Sequence, residues 1–146
     1  MKAIFSALSL LAALSVSNAQ STGKETITYN PIYDNGSTSL STLACAQWAK
    51  DNNFKTLSDV PGYPFVGGSS AAANGNTANC GECFSITDPQ TDETIFFTVV
   101  DAAGTGVVLS FAAFNNVTDG QGAQLGSFQG IIDGVEVTPG KCQAEA

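Results

Sequence analysis

Four cysteines set behind an export signal constrain this chain more than any other feature. Cys45, Cys80, Cys83 and Cys142 are widely spaced except for the central pair. Ahead of them, Lys2 precedes an apolar stretch from Ala3 to Val16, which ends at the small residues Ser17-Asn18-Ala19. That order predicts a secretory signal peptide over residues 1–19, cleaved after Ala19. The apolar stretch is shorter than the roughly 20 residues that a membrane helix needs. Thiols delivered to an oxidising compartment pair, so two structural disulfides are expected. Spacing alone leaves all three pairings open.

Removing residues 1–19 from the 146-residue chain leaves 127 residues, 20–146. That is one domain, long enough for a core of its own, with no repeat or linker dividing it. The formal charge is −8 with Lys2 present and −9 without it. All five basic residues are lysines, and no cluster of them offers a phosphate-binding face. Nucleic acid and anionic membranes are therefore poor partners. Histidine is absent. This excludes Ser-His-Asp and Cys-His catalysis and zinc sites with imidazole ligands. No metal and no cofactor are expected.

The Cys80-Gly81-Glu82-Cys83 spacing suits a thiol redox motif. Such motifs place a thiolate at a helix N-terminus within a βαβ unit. Here a strand-like segment follows instead, and structural disulfides are the better reading.

Local patterns indicate a mostly β chain with short helices. Glu25 to Tyr29 alternates as a strand does, and Pro31 ends it. Asp34-Asn35-Gly36 signals a turn. Ser39 or Ser41 is placed to cap a helix from Leu40 to about Asp51. Pro61-Gly62-Tyr63-Pro64 and Gly67-Gly68 read as loop, and Ala71 to Ala78 as a short helix or irregular turn. Phe84 to Thr87 is a short strand, and Asp88 to Asp92 a turn. Thr94 to Val100, almost wholly apolar or β-branched, is a strand buried on both faces. Val107 to Phe111 is a further strand, and Phe111 to Val117 a short helix. Phe128 to Val137, broken at Asp133-Gly134, is a hairpin or bent strand. Short strands at this chain length suggest a compact barrel.

Asp101 stands after the Thr94–Val100 strand and before a glycine-rich loop, a position that faces a cleft. Turn capping is the competing use of such an Asp. Hydrolysis of a glycoside ordinarily needs a second carboxylate at a set distance, and the sequence does not place one. Among the aromatics, Trp48 lies in an otherwise polar helix end and is a candidate sugar contact. Asn35-Gly36-Ser37 and Asn116-Val117-Thr118 are glycosylation sequons, with acceptors at Asn35 and Asn116.

Five segments occur in an order that resembles the cerato-platanin family of small secreted fungal proteins. They are YNPIYDNGSTSLSTLAC (29–45), TLSDVPGYPFVGG (56–68), NCGEC (79–83), VVDAA (99–103) and GQGAQLGS (120–127). The resemblance runs from about Thr26 to Cys142. It implies a mainly β fold, a six-stranded double-psi β-barrel with short helices, similar to the first domain of expansins. It implies the pairs Cys45–Cys80 and Cys83–Cys142. It also implies a non-catalytic role: binding of chitin or other polysaccharide oligomers in a shallow groove, expansin-like wall loosening, and elicitation of plant defence. The groove carboxylate of the family corresponds to Asp101, and Tyr33, Asp34, Asn79, Ala102 and Gly106 are its expected neighbours. Location in the fungal wall and medium, a plant host receptor as partner, and a monomer that self-assembles at air–water interfaces are further implications. The chain departs from many members after the first cysteine, where it reads Ala46-Gln47-Trp48-Ala49-Lys50, and after the CxxC, where it has Phe84 in place of Trp. Two rival readings are a glycoside hydrolase using Asp101 and a surface-active structural protein. Hydrophobins, the usual form of the latter, carry eight cysteines where this chain has four.

Overall fold

The computed structural model describes residues 23–72, 77–133 and 142. The expected signal peptide lies outside them.

Six strands close into one barrel. They are β1 (Gly23–Tyr29), β2 (Val66–Ser69), β3 (Cys83–Asp88), β4 (Glu93–Ala102), β5 (Val107–Leu109) and β6 (Ser127–Asp133). The order around the barrel is β1-β5-β2-β4-β3-β6, with β6 returning to β1. Two pairings are parallel, β1 with β5 and β2 with β4; closure leaves no free sheet edge to template aggregation. This is the mainly β, six-stranded, twice-stapled barrel that the resemblance implies. Cys45 pairs with Cys80 and Cys83 with Cys142.

The interior is filled by Ile27, Ile86, Ile95, Phe97, Val99 and Leu109, with Phe114 of helix α2 (Phe111–Val117) packed into the same cluster. A second cluster lies outside the barrel wall. The chain between β1 and β2 lays Tyr33, Leu40, Ala49, Leu57 and Val60 against Val66 and Val100. Strand β4 thus feeds both clusters, Val99 inward and Val100 outward. That explains why Thr94 to Val100 reads as a strand without alternation.

Several boundaries differ from expectation. The helix expected from Leu40 to Asp51 is two pieces: a 3-10 turn, Leu40–Thr42, and helix α1, Ala46–Asp51. Leu43 between them is extended, at φ −99° and ψ 162°. The break lets the Ala44 amide leave the helical ladder and donate to Asp101. Gly67-Gly68 is not loop but the middle of β2, buried throughout. The two glycines read as a breaker because strands seldom tolerate them; here other backbones press on both. A Cβ on Gly67 would stand 2.5 Å from the Val108 carbonyl oxygen, and one on Gly68 3.1 Å from that of Ala102. Strand β4 runs through Ala102, so Asp101 lies within it rather than after it. Helix α2, Phe111–Val117, has the expected bounds, and a further short helix, α3 (Gly122–Leu125), was not expected. Only β6 of the expected Phe128–Val137 hairpin falls within the described residues.

Candidate functional site

Asp101 sits at the end of β4, opposite Gly68 of β2 in the parallel ladder, with Ala102 opposite Ser69. A bulge between Gly67 and Gly68 shifts the register there and re-aims the strand end. Three donors converge on the carboxylate. The Tyr33 hydroxyl donates to Oδ2 at 2.8 Å. The Ala44 amide donates to Oδ1 at 2.8 Å, and the Ala102 amide to the same oxygen at 2.9 Å. Two of the three, Tyr33 and Ala44, belong to the distant β1–β2 excursion, so Asp101 joins that excursion to the barrel wall.

Tyr33 is only 4 % exposed. Burial, then the hydrogen bond and the charge of Asp101, push its phenol well above the ordinary tyrosine range. It stays neutral and serves as a fixed donor. Its hydroxyl rests over Gly68, where a Cβ would approach it to 3.2 Å, so the glycine makes room for the contact. Neither Gly68 nor Ala44 was expected at the site. The Gly-Gly pair carried a signal that was read as a loop, whereas the Ala44 amide carries none in its side chain.

The other expected residues divide. Gly106, at φ +63°, accepts from the Ser70 amide at 2.9 Å, and Asn79 donates from Nδ2 to the Ala71 carbonyl at 3.0 Å. Both therefore brace the 3-10 turn Ser70–Ala72, which continues β2 and packs on β4. Asp101, Ala102, Gly106, Asn79 and Tyr33 thus belong to one end of the barrel. Asp34 does not bond to this group. Its two oxygens accept from the Phe111 and Ala112 amides at 2.7 and 2.9 Å, while Ser110 caps Ala113. Together they satisfy the first three orphan amides of α2.

Trp48 is half-buried between the two clusters. Its indole covers Gly81, where a Cβ would meet Cε2 and Nε1 at 2.1 Å. It packs on Phe54 at 5.5 Å between centroids. The structure thus gives it a wall position. Asn35 is exposed in a turn, its Oδ1 accepting from the Ser37 amide at 3.1 Å. Asn116 is exposed on α2, but the Thr118 of its sequon is fully buried and donates to the Phe114 carbonyl at 2.8 Å.

A carboxylate offers about four acceptor positions, and three of Asp101's are taken. One remains, on Oδ2, and Asp101 is partly exposed; the loop that follows is open, since at Gly104 an added Cβ would meet nothing within 4 Å. The arrangement suits acceptance of one hydroxyl from a ligand.

A small disulfide-stapled six-stranded barrel with a rigidly held carboxylate at one end defines a class of compact β-barrel proteins. The Cerato-platanin family model matches residues 25–144, and the chain belongs to that family. An "Allergen Asp f 15 homolog" from Arthroderma benhamiae is 37 % identical over 122 residues, covering 82 % of this chain. The chain spans 58 % of that relative's length. The crystal structure of cerato-platanin 3 from M. perniciosa superposes with a TM-score of 0.71 at 30 % identity, covering 76 % of this chain and 93 % of that one. The solution structure of "the fungal elicitor Cerato-Platanin" superposes at 0.64 and 27 % identity, covering 82 % and 98 %.

Proposed function

We propose that this chain is an extracellular, non-catalytic carbohydrate-binding protein that holds chitin-type oligomers at the Asp101 end of the barrel. The observation that carries this reading is the single acceptor position left on the partly exposed Asp101, whose carboxylate is fixed by Tyr33, Ala44 and Ala102. A preorganised acceptor takes a sugar hydroxyl without reordering the protein. A shallow, solvent-open site limits affinity to the micromolar–millimolar range, roughly −8 to −4 kcal/mol. The signal segment and the disulfides support export, and membership of the cerato-platanin family supports residence in the fungal wall and medium. The solved relative described as a fungal elicitor supports a similar effect of this chain on plant tissue. Expansin-like loosening would follow from competition for hydroxyls between polysaccharide chains.

The test is an amide-shift titration of the oxidised protein with chitin oligomers, comparing the parent with Asp101→Asn. Asn can keep both amide bonds on its oxygen, so the fold is retained while the charged acceptor is lost. Shifts confined to residues 101–106 and their neighbours are expected, with intact sugars after long incubation and affinity about tenfold lower in the variant, the worth of one hydrogen bond to a charged group. Shortened sugars, or no response at millimolar ligand, would overturn the reading.

A further inference from the structure

A concavity lies within the excursion between β1 and β2. A pocket of about 480 Å³ opens between residues 39–41, α1 and the stretch 53–55. None of the residues assigned to the Asp101 site lines it. We propose that this pocket is a separate saccharide subsite that selects a carboxylated sugar, a hexuronate.

Size comes first. Small-molecule sites run from about 300 to 1,000 Å³, so the pocket admits a sugar unit. Its lining offers what a sugar needs. Ala49 is buried and Phe54 half-buried, and Trp48 stands behind Phe54, giving a firm apolar face for ring C–H groups. Ser39 and Ser41, their hydroxyls 2.8 Å apart, supply exchangeable hydrogen bonds at the rim.

Charge then selects among sugars. Lys50 and Lys55 both line the pocket, two of the five basic residues of a chain with net charge −8. The acids nearest in sequence keep their charge, and Asp59 attracts Lys55, but both are held by other donors. Asp51 accepts from the Gln47 side chain at 2.7 Å. Asp59 accepts from the Lys55 and Thr56 amides at 2.8 and 2.9 Å. A neutral sugar seated here would strip water from two ammonium groups and return no charge, whereas a uronate carboxylate meets them directly. A bare phosphate would meet the charge but leave the Phe54 face unused. Only a ring that carries a carboxylate uses both features.

The experiment is an amide-shift titration with trigalacturonate, against chitotriose and inorganic phosphate, on the parent and on Lys50→Gln/Lys55→Gln. Both lysines are exposed, so the variant should fold as the parent does. Trigalacturonate should shift residues 39–55, more weakly at high salt because the attraction is screened. The variant should bind about fivefold or more weakly, the scale of surface ion pairs, while its response to chitin oligomers near Asp101 stays unchanged. A glucuronate-bearing oligosaccharide tells which uronate fits better, and preference for either supports the site. No trigalacturonate response in residues 39–55, an equal one from chitotriose or phosphate, or undiminished binding by the variant would overturn it. The Asp101 reading is tested by a different sugar on different amides, so each can fail alone.

Discussion

At the scale of single residues, Asp101 is at once ligand acceptor and structural tie, and substitutions can separate the two. Asp101→Ala removes three hydrogen bonds and leaves the buried Tyr33 hydroxyl without its partner. Loss of about 3 kcal/mol is expected, the sum of a charged hydrogen bond and an unsatisfied buried donor. Asp101→Asn should lose less than half as much. Urea midpoints measure both, and equal losses would show that the amide bonds to Ala44 and Ala102 contribute little. Tyr33 adds a pH dependence. The fold favours its neutral form, so its contribution is whole below about pH 10, where an unfolded tyrosine ionises, and declines as pH rises through and above that point. The urea midpoint of the parent should therefore fall on the alkaline side more steeply than that of Tyr33→Phe. Parallel slopes would mean that Tyr33 ionises in the fold as readily as out of it. Asp59 works in the opposite direction: backbone amides of Thr56 and Lys55 lower its pKa, so its small contribution is present at neutral pH and lost in acid.

At the scale of elements, β2 carries the sharpest prediction. Gly67→Ala places a methyl 2.5 Å from a strand backbone oxygen, whereas Gly68→Ala asks its neighbours to yield only a few tenths of an ångström. The first should cost about 2 kcal/mol or more and the second distinctly less. Thermal unfolding of the two variants decides it, and the reverse order would refute the packing described here. The same strand shows where sequence reading runs out. Apolar or β-branched runs such as Thr94 to Val100 announce themselves, and so does α2. A strand of Val-Gly-Gly-Ser does not, because its glycines answer to Val108 and Ala102, far away in sequence. The split at Leu43 is hidden for a like reason: the residue that stops the helix, Asp101, is contributed by another strand. Asp101 itself was legible as a carboxylate beside a glycine-rich loop. That three donors hold it was not, since two of them are backbone amides.

At the scale of the whole molecule, the chain is a barrel with a wrapped excursion, and each half has its own staple. Cys45–Cys80 ties the excursion to the segment ahead of β3. Cys83–Cys142 ties a residue near the chain's end to β3 itself, against the Gly62 turn, where a Cβ would meet the Cys142 carbonyl. Their sequence separations are 35 and 59 residues. Loop entropy depends only on the logarithm of length, so each is worth about 4 kcal/mol. What distinguishes them is what comes loose. Without Cys45–Cys80, the outer cluster is held to the barrel by burial and by the hydrogen bonds at Asp101 and Asp34. The single Trp48 spans the two clusters beside Gly81, next in sequence to Cys80, and so reports on that seam. In the parent, Trp48 emission and far-ultraviolet circular dichroism should trace one coincident urea transition, as a cooperative single domain does. In Cys45→Ala/Cys80→Ala the Trp48 transition should move to lower urea and precede the loss of β signal. Coincident transitions in that variant would mean that the two clusters unfold as one unit, and that packing and hydrogen bonds hold the excursion without the disulfide.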